Sequence, residues 1–456
     1  MRPLSPIARN FGHLFVRQGI VAAADMLSIR LVLKAIGVEM QGVCAMAAGW
    51  VAVFSFFSGT LRAAFQRFLS AETGRAANGD ASTAFSVSLG ISIAAGLVVL
   101  LLGETFGLYG LTRILSFSSV SAGDVHVVYQ LTLIGAVFRF ISLPHQALIV
   151  ARERMGILAS CGLVESFVLV ALSASLLLLP DGIRLPACAG MAAITASSSL
   201  AYLAYRLRRY PELHAGISFN PLMMCRILVY FGWSGLGSLV GMLRLSGTET
   251  VLNRWRGVAF NSSWNTAFRA GSCIYVLISS LQQVVEPQLV KRLEAGDWNG
   301  YLSLAFRSER WLIGLVWAVA FPMFFFAPEF VGFWLGAEQP PQIVAFLRMF
   351  ILYFFVDALS APIHSAIMSS VRIGRYTVVV STFGALGFVA AVLTLLSDAP
   401  AWVAAACLAG ANAACLLYRL AYFCRSANVG LARISCELLL PIACAAIASA
   451  VLFAFR

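Results

Sequence analysis

The stretch VFSFFSGTLRAAFQRFLSAETGR, residues 53–75, decides the fold class, because it begins as an apolar membrane-type helix and then carries Arg62 and Arg67. A cation at the centre of a bilayer costs at least about 2.5–3.5 kcal/mol. Ser55, Arg62 and Gln66 follow one another at intervals of seven and four residues, which places them on one helix face. Lipid cannot satisfy such a face. The stretch therefore predicts a membrane helix whose polar side lines the interior of a bundle.

The composition extends this prediction to the whole chain of 456 residues, of which 60% are hydrophobic and 11% are charged, with a mean hydropathy of +0.86. A soluble protein of this length needs far more polar surface. Apolar windows of about 20 residues, each long enough to cross the hydrocarbon core, recur along the chain. We predict an all-α polytopic membrane protein with spans at about 14–36, 42–66, 82–103, 126–150, 157–179, 186–206, 226–248, 258–285, 311–335, 343–370, 376–396, 401–423 and 435–455.

The net charge of +12 does not indicate nucleic acid, because the arginines of the short loops fall mostly on alternate connections. That asymmetry is typical of cytoplasmic loops and predicts a cytoplasmic N-terminus. The ten cysteines are scattered singly, with no C-x-x-C pair. They predict neither disulfides nor a metal site, and no cofactor is expected.

The sequence repeats itself at an offset of 218–220 residues. The matched pairs are Gly37 with Gly257, Arg62 with Gln282, Arg139 with Asp357, and Pro144 with Pro362. Because the pairs are collinear, we predict two pseudosymmetric six-helix bundles in the same orientation around a central cavity, as in transporters built from parallel repeats. The predicted bounds are 1–210 and 211–425 for the two lobes and 426–456 for an additional C-terminal span.

Pro144 and Pro362 are predicted hinges, because a proline deletes an i→i−4 hydrogen bond and kinks a helix. Arg139 and Asp357 occupy equivalent positions. They could form a pair between the lobes that breaks during alternating access, or each could be satisfied within its own lobe. The sequence leaves both alternatives open.

Charged residues within or beside the predicted spans are the candidate functional groups. The candidates for substrate binding are Arg17, Arg30, Arg62, Arg139, Arg244 and Arg269, and those for ion coupling are Asp25, Glu165, Glu249 and Asp357. The excess of cations favours an anionic cargo, because guanidinium pairs bidentately with phosphate oxygens. Arg269 is the strongest candidate, since it lies about ten residues inside its span on a polar stripe. Arg62 could instead snorkel to the headgroups.

Three motifs in the expected order carry a resemblance to a known family. They are RLVLKAIGVEMQGVCAMAAGWVAVFSFFSGTLRAAFQRFLSAETG (30–74), PHQALIVARERMGILASCGLVESF (144–167) and GVAFNSSWNTAFRAGSCIYVLISSLQQVVEPQLVKRLEAGDW (257–298). The chain resembles polysaccharide exporters of the multidrug/oligosaccharidyl-lipid/polysaccharide (MOP) superfamily, which are related to MATE transporters. The likeness extends over nearly the whole chain, and its motifs are structural.

The resemblance implies a Wzx-like flippase of the bacterial inner membrane. Such a protein moves undecaprenyl-pyrophosphate-linked oligosaccharide by alternating access, coupled to H⁺ or Na⁺. It implies cationic lumen residues at Arg30, Arg62 and Arg269. The implied partners are the lipid-linked saccharide with its pyrophosphate head, membrane lipids, and the glycan polymerase and other polysaccharide-assembly proteins. A monomer is expected.

Two other functions remain open. A MATE-type multidrug or cation antiporter shares the fold, and Asp25 could be its proton-linked carboxylate. A membrane glycan polymerase or ligase needs a sizeable extracytoplasmic domain. The longest predicted outer loop, 104–125, has no catalytic set, so we expect a transporter and not an enzyme.

Overall fold

The computed structural model describes the chain in several stretches, and all regular structure in them is helical. The described residues are 57–75, 80–109, 122–180, 200–209, 219–335, 342–370, 373–397 and 399–427, with scattered residues between 12 and 51 and between 183 and 194, and Gly430. We number the helices of these stretches in chain order: α1 (Ser58–Gly74), α2 (Ala81–Leu102), α3 (Ala122–Ala151), α4 (Met155–Ser175), α5 (Leu200–Arg209), α6 (Pro221–Met242), α7 (Thr248–Arg256), α8 (Val258–Glu294), α9 (Trp298–Phe325), α10 (Ala327–Leu335), α11 (Gln342–Ala358), α12 (Ala361–Met368), α13 (Gly374–Leu396) and α14 (Trp402–Ala427).

Among the described residues, seven helical segments are long and apolar enough to cross a membrane, and a bent pair formed by α11 and α12 could be an eighth. The predicted all-α polytopic fold class is confirmed. The predicted span 435–455 and much of 14–36, 42–66 and 186–206 lie outside the described residues, so their number stays a prediction.

The predicted span 311–335 is wrong in its bounds, because α9 begins at Trp298 and a separate helix, α10, begins at Ala327. Asp297 is the reason for the early start: its side chain accepts a hydrogen bond from the backbone N–H of Gly300 at 2.9 Å and so caps the first turn. Hydropathy alone misses this turn, since the first residues of α9 are partly polar.

The chain divides into two compact units, Met1–Val229 and Tyr230–Arg456. In the first unit, α3 packs against both α1 and α2; in the second, α8 and α14 pack against α11, and α13 packs against α14. The helices α1, α2, α3 and α4 have counterparts in the same order at the end of α8, α9, α11–α12 and α13. The finer domain bounds 1–210, 211–425 and 426–456 remain a prediction.

The core of the second unit is aromatic where α8 meets α11. The buried Trp264 ring stands edge-on to Phe346 and Phe350, at centroid distances of 5.5 and 4.7 Å. Gly271 allows this close approach, because a Cβ there would lie 3.1 Å from the Cβ of Phe350. The polar stripe found in the sequence, which includes Asn265 and the exposed Arg269, lies on a neighbouring face of α8.

The two prolines predicted as hinges have different surroundings. Pro144 lies inside α3, which continues through it without a break, so a kink at this position stays a prediction. Proline removes the donor for the carbonyl of Phe140, and the hydroxyl of Ser92 on α2 donates to that carbonyl instead. A neighbouring helix thus satisfies the freed group, and the helix is kept intact.

Pro362 lies just after a break, at the start of α12, where α11 and α12 meet at a bend of 47°. The helical backbone is interrupted at Ser360, whose φ of −147° and ψ of 14° are not those of an α-helix. Asp357 lies one residue before the end of α11. The break therefore places the carboxylate of Asp357 close to the N-terminus of α12.

Candidate functional site

The second unit contains a partly open cavity of about 330 Å³ with a mixed polar and apolar lining. Its wall is built by α6, the turn that follows it, α8, α11, α12, α13 and α14. Charged groups on this wall include Arg244, Asp357 and Arg419. Two of the residues predicted from sequence, Arg244 and Asp357, are therefore brought together.

Arg244 lies in a π-helical turn, Leu243–Gly247, that interrupts the long helical segment formed by α6 and α7. Such turns shift the side chains of a helix and are frequent at functional sites. Its Nη1 donates to Oδ1 of Asn412 at 2.7 Å, and its Nη2 donates to the hydroxyl of Tyr353. The guanidinium carbon also lies 5.0 Å from the centre of the Tyr353 ring. All these partners are neutral, so they hold the guanidinium in place without neutralising its charge.

Arg419 on α14 is the second cation of the wall. Its Nη1 donates to Oδ1 of Asp357 at 2.9 Å and to the hydroxyl of Ser360 at 3.0 Å. The side chains of Arg419 and Asp357 are 11% and 26% exposed, so the ion pair is largely buried. The wall thus carries two guanidinium groups and one carboxylate, which is an excess of one positive charge among these groups.

Several polar atoms of the wall have no protein partner in the described part of the chain although they are buried. They are Nε of Arg244, Nε of Arg419, Oγ1 of Thr377 and Oγ of Ser381. Buried donors without partners are rare in folded proteins. Two of them belong to guanidinium groups, so both arginines of the wall keep one N–H donor that no described protein atom satisfies.

The wall also carries an imidazole, and an amide from α8. Nδ1 of His364 faces the hydroxyl of Tyr376, and the Tyr376 ring lies 5.2 Å from that of Tyr422. Gln282 of α8 donates to the carbonyl of Ala361 at 3.1 Å. These contacts connect the start of α12 to α8 and α13.

Sequence reasoning missed Arg419, Asn412, Tyr353 and Glu309. Arg419 lies on an apolar helix close to a basic C-terminal end and resembles a snorkelling residue in the sequence. Glu309 lies between Arg307 and Arg310 and reads as part of a solvated charge cluster. Among these residues, only Asn412 could have been noticed in the sequence, because it is a polar residue in the middle of the apolar α14.

Arg269 and Glu249 lie elsewhere in the second unit. The Arg269 side chain is exposed on α8, on the stripe with Asn265, and it is not part of the cavity wall. Glu249 accepts a hydrogen bond from Nδ2 of Asn265 at 2.7 Å. Glu249 therefore has an amide partner, and Arg269 keeps its place as an exposed cation on a polar face.

In the first unit, Arg17 and Glu165 lie in the same neighbourhood as Arg62. Tyr202 is within electrostatic range of all three. The guanidinium of Arg17 packs so closely on Gly162 of α4 that a Cβ at this glycine would collide with it. The sequence could not show the surroundings of Glu165, and the structure places it among these cations.

Arg30 and Arg139 are exposed, and Asp25 lies outside the described residues. The carboxylate of Asp357 pairs with Arg419 of its own unit. Asp357 therefore has a local partner on α14, and a pair between Arg139 and Asp357 that forms and breaks between the lobes stays a prediction.

Comparisons with known proteins bear on the fold. No family model and no curated protein sequence matches the chain. A multidrug resistance MATE family transporter of the MOP superfamily, in an outward-facing conformation, has a similar structure with a TM-score of 0.77 at 11% identity, over 93% of this chain and 96% of that one. A MOP superfamily transporter from Pyrococcus furiosus is similar with a TM-score of 0.76 at 11% identity, over 93% and 95% of the two chains.

A variant of the Vibrio cholerae MATE transporter VcmN is also similar, with a TM-score of 0.69 at 15% identity, over 93% of this chain and 98% of that one. At such identities the likeness concerns the fold. The structures with which the chain aligns over nearly its whole length are transporters and not enzymes. The chain therefore has the fold of MATE transporters of the MOP superfamily.

Proposed function

We propose that the chain is an alternating-access flippase for a lipid-linked oligosaccharide, and that the cavity of the second unit binds the anionic pyrophosphate of that cargo. One observation carries the proposal: Arg244 is held by Asn412 and Tyr353, which are neutral, so its charge is available to a ligand. Arg419 adds a second guanidinium on the same wall.

The dimensions of the cavity favour a head group. Its volume of about 330 Å³ is near the lower end of the range of about 300–1,000 Å³ that is usual for ligand sites. A pyrophosphate with its first attached groups is compatible with this space, whereas several sugars are not. Each charged hydrogen bond contributes about 1.5–3 kcal/mol. The oligosaccharide and the lipid would then lie outside this cavity.

A cation antiporter of the MATE type is the second candidate function. The MATE transporters of similar fold and the carboxylate of Asp357 on the cavity wall favour it. The ion pair opposes it, because Arg419 already neutralises Asp357 at 2.9 Å. A cationic drug would have to displace a guanidinium. The Pyrococcus furiosus transporter, whose pocket is described as having reverse polarity, illustrates that this fold accommodates different charges.

The remaining expectations from sequence belong to the same proposal. They are a bacterial inner-membrane location with a cytoplasmic N-terminus, coupling to H⁺ or Na⁺, function as a monomer, and contact with membrane lipids and polysaccharide-assembly proteins such as a glycan polymerase. Arg62 and Arg269 remain proposed contacts of the cargo, since both lie on polar helix faces. An assay of transport can separate these two from Arg244.

The test is transport of a fluorescent polyprenyl-pyrophosphate disaccharide in proteoliposomes, followed by quenching of the outward-facing label. We expect Arg244→Ala to lower the apparent affinity about tenfold to a hundredfold, in keeping with the loss of a charged hydrogen bond. Arg244→Lys should retain part of the activity, because it keeps the charge and loses the planar fork. Arg307→Ala is the matched control, since Arg307 is exposed on α9 and absent from the cavity wall.

Unchanged transport by a correctly folded Arg244→Ala protein would contradict the anion site. Transport of cationic dyes by the wild-type protein, with no transport of the lipid, would favour the antiporter. Arg269→Ala belongs in the same series: a loss of transport at an unchanged melting temperature would add Arg269 to the cargo contacts.

A further inference from the structure

The break between α11 and α12 leaves a backbone donor that a side chain from another helix satisfies. In a continuous helix, the N–H of Ile363 would donate to the carbonyl of Leu359. Here it donates to Oε2 of Glu309 on α9, at 3.3 Å. Pro362, one residue earlier, has no N–H to offer. The carboxyl of Glu309 thus replaces the acceptor that the break removed.

Glu309 is completely buried, with 0% of its surface exposed. Its second oxygen, Oε1, has no hydrogen-bond partner in the described part of the chain. An ionised carboxylate with an unmatched oxygen in an apolar interior is strongly disfavoured. A protonated carboxyl avoids the charge and still offers its carbonyl oxygen to Ile363. Geometry therefore favours a neutral Glu309 in this conformation.

The charges around Glu309 lead to the same conclusion. Arg419 of α14 and Asp357 of α11 lie within electrostatic range, and they are paired with each other. These three groups are together neutral only when one of the two acids holds a proton. Since Asp357 has the guanidinium, the proton belongs on Glu309.

Other titratable groups of the described residues also lie near the break. From α8, Glu286 accepts a hydrogen bond from the hydroxyl of Ser365 at 3.2 Å. From α12, His364 faces Tyr376. On α9 itself, Arg307 and Arg310 are exposed. Helix α10 follows the far end of α9, about 24 Å along the helix axis from Glu309 at 1.5 Å per residue.

We propose that Glu309 is a proton-binding site of the second unit and that its proton stabilises the break between α11 and α12. With the proton bound, Glu309 caps Ile363 while Arg419 remains with Asp357. When the proton leaves to water, the new carboxylate competes with Asp357 for Arg419. Because Arg419 also binds Ser360 at the break, this competition moves the start of α12.

The first unit supplies an internal comparison. The repeat offset of 218–220 residues places Leu89 to Ile91, which include no acid, opposite Glu309. There α3 passes through Pro144 unbroken, and Ser92 donates to the freed carbonyl. The buried acid and the break thus occur together in the second unit, and both are missing at the matching position of the first.

The test uses the full-length protein in lipid nanodiscs without any cargo, so it is independent of the proposed anion site. Infrared spectroscopy should show the C=O stretching band of a protonated carboxylic acid at neutral pH. Glu309→Gln should remove the band. Glu72→Gln should keep it, because Glu72 is a buried glutamate that already has charged and backbone donors, from Arg75 at 2.8 Å and from the N–H of Asp80 at 3.0 Å.

Two further variants test the connection to Arg419 and the break. Asp357→Asn frees the guanidinium, so the acid band should disappear at a lower pH than in the wild type. After correction for the intrinsic base-catalysed rate, the protection of segment 361–368 against hydrogen exchange should fall as pH rises in the wild type and should stay constant with pH in Glu309→Gln. If Glu309→Gln does not fold, Glu309→Asp replaces it, and a shifted acid band supports the site.

An acid band that is identical in the wild type and Glu309→Gln, or unshifted in Glu309→Asp, would overturn the proposal. Equal pH profiles of exchange in segment 361–368 for the wild type and Glu309→Gln would overturn the role in the break.

Discussion

The ion pair between Asp357 and Arg419 permits a prediction whose magnitude follows from burial and distance. The two side chains are 26% and 11% exposed and meet at 2.9 Å. Removing one partner of a buried pair costs about 3–5 kcal/mol, because the other charge is left without compensation. For Asp357→Asn we expect the lower end, about 3 kcal/mol, since Ser360 still accepts a hydrogen bond from the guanidinium and Glu309 can ionise to face it.

A double-mutant cycle separates the pair from its surroundings. We expect Arg419→Gln to be similarly destabilising, and the double variant Asp357→Asn/Arg419→Gln to be less destabilised than the sum of the two by about 2 kcal/mol. The assay is chemical denaturation in detergent micelles, followed by circular dichroism at neutral pH. High salt should change the coupling little, because a buried pair is only weakly screened.

Arg307→Ala serves as the control for the loss of an exposed cation from the same unit, and it should change stability by less than about 0.5 kcal/mol. Additive effects of Asp357→Asn and Arg419→Gln would refute the reasoning. They would mean that each residue is stabilised by other partners, and that Arg419 is not neutralised on the cavity wall.

Two further predictions concern the first unit. Ser92→Ala should destabilise the protein by about 1 kcal/mol, because it removes the donor to the carbonyl of Phe140. This loss should disappear in a Pro144→Ala background, where the backbone N–H of residue 144 is restored. Equal losses in the two backgrounds, measured by thermal unfolding, would contradict the prediction. Asp80 accepts from the N–H of Thr83 at 2.9 Å. Hydrogen bonding from Thr83, first from its hydroxyl and second from this N–H, holds the pKa of the Asp80 carboxyl below its ordinary value. The stabilisation of the protein by the Asp80 carboxylate is therefore complete above the unfolded-state pKa, and it is lost as pH falls through the lower folded-state pKa. Asp80→Ala should thus lower stability by about 1 kcal/mol at neutral pH and by little at strongly acid pH.

Hydropathy and spacing were sufficient to predict the fold class. Each membrane helix must satisfy its own backbone, so its apolar length is a local property that the sequence displays directly. The repeat of Pro144 and Pro362 and the polar stripe of α8 are likewise local patterns. Helix ends were predicted less well, as at Trp298, because a single capping residue such as Asp297 decides them.

The candidate site depended on contacts between helices that no local pattern encodes. Arg244 was predicted as a cavity residue, but its neutral partners, Asn412 and Tyr353, come from two other helices. Arg419 and Asp357 meet only because α14 packs against α11. Arg269, the strongest candidate in the sequence, lies on an exposed face. The position of a charged residue along its helix does not show which neighbours its side chain contacts.

The sequence by itself determined that this chain is a bundle of membrane helices with an internal repeat and an excess of cations over acids in its apolar segments, because length, hydropathy and charge are read directly along the chain. Tertiary structure decided which charges meet and which stay apart. Glu309 shows the difference: between Arg307 and Arg310 it reads as a solvated acid, yet packing against the start of α12 leaves it 0% exposed. Packing determines the local dielectric and the available partners, and these determine what a charged group can do.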